Sequence, residues 1–67
     1  MTAPISNLDK LKCAQRELAL RRSVYPKRVK SGLQTQEKID HEIAAMAAIV
    51  DDYTRLVTEE TKTERLL

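Results

Sequence analysis

Apolar residues recur every three or four positions along most of this chain, and the pattern is cleanest in its second half. Ile39, Ile43, Met46, Val50, Tyr53 and Val57 follow one another at spacings of 4, 3, 4, 3 and 4. An apolar seam of that period predicts one long amphipathic helix that packs on another helix. Ala44, Ala45, Ala47 and Ala48 surround the seam and let a neighbour approach closely, while Ile49 and Leu56 widen it on one flank. In the first half, Leu8, Leu11, Ala14, Leu18 and Tyr25 fall on one helical face, with Arg21 or Arg22 filling the gap. A thinner stripe, Cys13, Leu20 and Val24, is not continuous with that face and needs a partner of its own.

Turn and cap residues divide the pattern. Ser6 or Asn7 suits the N-cap of the first helix, with Asp9 favourable in its first turn. Pro26 removes a backbone donor and crowds the turn before it, so a kink or a break is expected at Val24–Tyr25. Gly32, the only glycine, suits a left-handed C-cap, with Leu33 folding back on Val29. Thr35 then caps the second helix, with Glu37 in its first turn. The expected fold is all-α, an antiparallel helical hairpin with its corner at residues 31–35. Residues 1–6 read as a tail, 7–60 as the hairpin domain and 61–67 as a fraying polar end.

Length changes the picture. A chain of 67 residues buries little surface, and one cysteine cannot form an internal disulfide. Stability must come from helix packing or from oligomerisation. A homodimer forming a helical bundle is expected, with Cys13, Leu20, Val24, Ile49 and Leu56 at its interface. Charge is segregated as well. Residues 1–33 carry eight Lys/Arg against two acids, net +6, and residues 34–67 carry four against eight, net −4. A basic helix is therefore expected to lie against an acidic one.

Candidate chemistry is sparse. Glu37, His41 and Glu42 are near neighbours, but His41 is the only histidine and no HExxH is present, so a structural or solvated role is expected. Asp51-Asp52 and Glu59-Glu60 are consecutive, so their carboxylates diverge by about 100° on a helix. Cys13 has no histidine within helix reach and reads as a packing thiol. Gly-rich phosphate loops are absent. No catalytic, metal-binding or cofactor-binding residue is assigned, and the expectation is that this is not an enzyme. Arg21, Arg22, Lys27, Arg28 and Lys30 put five cations into ten residues, with Tyr25 among them. They suit nucleic-acid phosphates with Tyr25 stacking, an anionic protein surface, or ion pairs with the acids of the second helix. The acids Asp40, Asp51, Asp52, Glu59 and Glu60 are either a solvated face or a site for a basic partner.

Residues 13–53 resemble a family of small phage and prophage proteins with the pattern R-E-L-A-x-R-R-x-V-Y-P-x-x-V-x-x-G, then T-x-x-x-x-x-x-E-I-x-x-M. The matching positions are Arg16-Glu17-Leu18-Ala19, Arg21-Arg22, Val24-Tyr25-Pro26, Val29, Gly32, Thr35, Glu42-Ile43 and Met46. Lys27-Arg28 departs from the pattern, where a basic residue followed by an aromatic is expected, and this weakens a stacking role. The resemblance implies a context, a phage-borne accessory gene, rather than an activity. By analogy with other small phage proteins, the expected function is binding a host protein in a host-takeover or anti-defence role. The alternative is a nucleic-acid-binding accessory protein using residues 21–30. No apolar run is long enough to span a bilayer, and the N-terminus lacks the pattern of a secretory signal. With a lone thiol, the cytoplasm of the host bacterium is the expected compartment.

Overall fold

The computed structural model describes residues 4–66. The chain forms two helices, α1 (Asn7–Lys30) and α2 (Gln36–Leu66), joined by residues 31–35 and packed side by side. They run antiparallel: Asn7 donates from its side-chain amide to Glu60, while Arg21, further along α1, reaches back to Glu42. There is no strand among the described residues.

The expected caps form. The Ser6 hydroxyl accepts from the Asp9 amide at 3.0 Å, and the Thr35 hydroxyl accepts from Lys38 at 3.2 Å. The end of α1 is a Schellman turn. The Gly32 amide donates to Val29 at 3.0 Å, the Leu33 amide donates to Arg28 at 3.0 Å, and Gly32 takes φ +76°. Leu33 does not fold back on Val29, because it is 76% exposed. The apolar contact of this motif falls on the third or fourth residue from the helix end, and those residues are Arg28 and Lys27.

Pro26 lies inside α1, and the helix is unbroken from Asn7 to Lys30. The break considered at Val24–Tyr25 is not there. Arg22, whose carbonyl loses its usual donor to Pro26, is exposed with Ser23 and Pro26, so water can replace the missing partner. At the other end, α2 continues past residue 60 to Leu66, so the expected end at 61–67 is helical that far. Residues 1–3 and 67, which belong to the expected tail and frayed end, lie outside the described residues.

The core is small. Ala14, Leu18 and Met46 form its centre, with Ile43, Ala47 and Val50 against them. Leu11 and Ile39 are also buried. Every member of the α2 seam is buried or half-buried, as the period required. Two expectations fail at the margins. Leu8 is exposed, because at about 100° per residue it lies roughly a quarter-turn from the Leu11–Ala14–Leu18 line. Of the four alanines beside the seam, only Ala47 joins the core, while Ala44, Ala45 and Ala48 face solvent. The result is a slab of 53 × 28 × 14 Å, one helix layer thick.

Candidate functional site

The basic stretch near the turn divides when it folds. Arg21 points inward and is 22% exposed. Its Nε donates to Glu17 at 3.0 Å within α1, and its Nη1 donates to the Glu42 backbone carbonyl at 2.9 Å across the interface. The Glu42 carboxylate lies 3.5 Å from the same nitrogen. The hydrogen bond to Glu17, with smaller help from the nearby charges, holds this guanidinium protonated even beyond its usual range. Arg21 thus fills the gap in the apolar face as a clamp between the helices.

Tyr25 is half-buried beside it. The Arg21 guanidinium lies 5.9 Å from the ring centroid, and that of Arg28 lies at 5.0 Å. Both distances suit cation–π attraction, so the ring is already engaged. Arg22, Lys27, Arg28 and Lys30 are exposed and form no ion pair among the described residues. Taking Arg22 as zero, these four cations lie at about 0°, 140°, 240° and 80° round the axis. They ring the end of the helix rather than line one face. Lys27, Arg28 and Lys30 also sit in the last turn, where the helix dipole favours positive charge.

Among the described residues the expected pairing of a basic helix with an acidic one is limited to one bridge, Arg21 to Glu42. Arg55 and Asp52 pair within α2. Asp40 accepts from Gln36 at 2.8 Å, and Glu60 accepts from Asn7. Asp51 and Glu59 are exposed. His41 is exposed too, and no group of three metal-ligating side chains occurs among the described residues. No helix there is long and apolar enough to cross a membrane.

The two surplus apolar stripes meet. Cys13 is exposed and lines a shallow apolar groove with Ala14, Met46 and Tyr53, edged by Lys10 and Glu17. Leu20 and Val24 continue the Cys13 row along α1, seven and eleven residues on. Ile49 and Leu56 follow Met46 and Tyr53 by three residues and flank them on the same side. Leu20 is 56% exposed, and Ile49 and Leu56 are 42% exposed each. The opposite face carries Gln15, Ala19, Asp51, Thr54 and Thr58, all exposed.

Sequence reasoning placed the cations but missed their partners. Glu17, four residues before Arg21, was a readable helical pair. The Glu42 carbonyl and the Lys10 ammonium, 5.8 Å from the Tyr53 ring, depend on how the two helices align. No protein-family model, curated protein or solved structure matches this chain.

Proposed function

We propose that this chain acts by contact rather than by chemistry, and that its turn end docks on an acidic surface of another protein. The observation that carries this reading is the set of four exposed cations, Arg22, Lys27, Arg28 and Lys30, around a capped helix end, without ion-pair partners among the described residues. A protein surface suits cations that ring a corner, whereas a phosphodiester strand asks for a line of them with an aromatic platform. Arg21 and Tyr25, counted for that role in the sequence, are engaged inside the hairpin.

The resemblance to phage proteins extends the reading to a host protein, bound in the host cytoplasm in a takeover or anti-defence role. The reading also includes a bend at Pro26, whose ring crowds the Arg22 carbonyl and tilts the basic last turn. It includes pairing with a second copy, since two helices leave the Leu20 and Leu56 stripes uncovered.

The test is capture of a partner after nuclease treatment, repeated with Arg22→Glu/Arg28→Glu and with Leu20→Asp. The reading expects one stoichiometric acidic protein, lost with the double charge reversal and kept with Leu20→Asp. Recovery that vanishes with nuclease contradicts it. So does nucleic-acid binding whose log K falls with log salt at a slope near about −3.6, the value for four phosphates at about −0.9 each.

A further inference from the structure

We propose that a second copy of this chain covers the face bearing Cys13, Leu20, Ile49 and Leu56, and that the two hairpins stack antiparallel, the turn of each over the open end of the other. The proposal rests on the pairing inferred above and gives it a face and a direction. It does not depend on what the basic corner binds.

Surface area is the first argument. A compact monomer of this chain's 7.7 kDa exposes about 4,300 Å². This hairpin exposes 5555 Å². The surplus of about 1,200 Å² exceeds the roughly 800 Å² per partner of a standard stable interface. The radius of gyration agrees, at 15.7 Å against about 10.9 Å for a compact chain of this length. A second layer on a slab 14 Å thick reduces both excesses.

Chemistry selects the face. Both stripes that the hairpin core leaves over converge on one side, around the Met46–Tyr53 groove. The other side is polar and small except for Leu8, seven residues before Gln15 on α1. The patch centres on Ile49 and Glu17, each about fourteen residues from the turn, or roughly 21 Å along the hairpin at ~1.5 Å per residue.

Charge selects the direction. The turn end, residues 21–42, carries six cations against three acids, net +3, whereas the rest of the hairpin, residues 7–20 with 43–60, carries four cations against six acids, net −2. Stacking turn on turn sets the two cationic ends together, at a cost in repulsion. Stacking turn on open end sets each net-positive turn against the net-negative part of the other copy. A two-fold axis at Ile49 then brings Ile49 against its own copy and Lys38 level with Glu60 of the second copy. The two basic corners end up at opposite ends of the dimer, about 40 Å apart, so each dimer presents two equivalent docking sites.

The experiment is a spin-label distance in solution. Cys13→Ser with Leu33→Cys places one nitroxide at the exposed turn of each copy. A dimer with a label separation near 40 Å is the expected result. A separation under about 20 Å overturns the antiparallel arrangement, and a monomer mass without dipolar coupling overturns the pairing. Ile49→Asp, read by light scattering and circular dichroism, is expected to give a helical monomer, while a helical dimer overturns the chosen face. Arg22→Glu/Arg28→Glu is expected to stay dimeric, which separates this proposal from the basic-corner reading.

Discussion

The middle and the turn end of the helix–helix interface hold together by different physics. In the middle, Ala14, Leu18 and Met46 bury apolar surface with Ile43, Ala47 and Val50 around them, and none of these side chains is polar. Toward the turn, contact passes through a guanidinium. Arg21 reaches a carboxylate on its own helix and a carbonyl on the other, and Tyr25 lies between Arg21 and Arg28. Ile39, 1% exposed, is the one deeply buried apolar side chain at that end. Burial is non-directional and tolerates exchange of similar shapes, whereas the clamp is directional and fixes which residues of the helices align. The middle therefore supplies most of the stability and the turn end supplies the register.

The largest expected effect breaks the apolar side of this comparison. Leu18→Ala should cost about 2–5 kcal/mol. A core of this size supplies no more than about 3–5 kcal/mol in all, so most helicity at 25 °C should disappear from the circular dichroism spectrum. Pro26→Ala acts on the turn end with the opposite sign. It restores the Pro26 amide as a donor to Arg22 and should stabilise the hairpin by up to about 3 kcal/mol in urea unfolding. A destabilised Pro26→Ala would contradict that expectation. Gly32→Ala is smaller again, about 1–2 kcal/mol of destabilisation. A Cβ there meets nothing within 4 Å, so the cost is confined to the positive φ of +76°. Asparagine, which tolerates that conformation better, should cost less at the same position.

The same contrast explains what could be read in advance. The seam from Ile39 to Val57 was legible because periodicity encodes burial directly, and all six residues are buried or half-buried. Ser6, Thr35 and Gly32 were legible because caps are local chemistry. Leu33 was misjudged by attending to the glycine and not to Lys27 and Arg28, which offer it no apolar surface. A break at Pro26 overweighted one lost hydrogen bond in an exposed turn against the caps and burial that keep α1 whole. Segregated charge suggests ion pairs along the whole hairpin, yet among the described residues a single bridge spans the helices, because most charges project to the outer sides. The division of the basic cluster needed the alignment of two helices, and sequence spacing alone does not supply it.

That division is the central claim, and side-by-side urea unfolding of Arg21→Ala and Arg22→Ala at one protein concentration tests it most directly. These neighbours have the same side chain and differ only in where the helix points them. Arg21→Ala removes a charged hydrogen bond across the interface and should lower stability by about 1.5–3 kcal/mol. Arg22→Ala removes an exposed cation and should stay within about 0.5 kcal/mol of the parent chain. Equal losses at the two positions, or a larger loss at Arg22, would contradict the account.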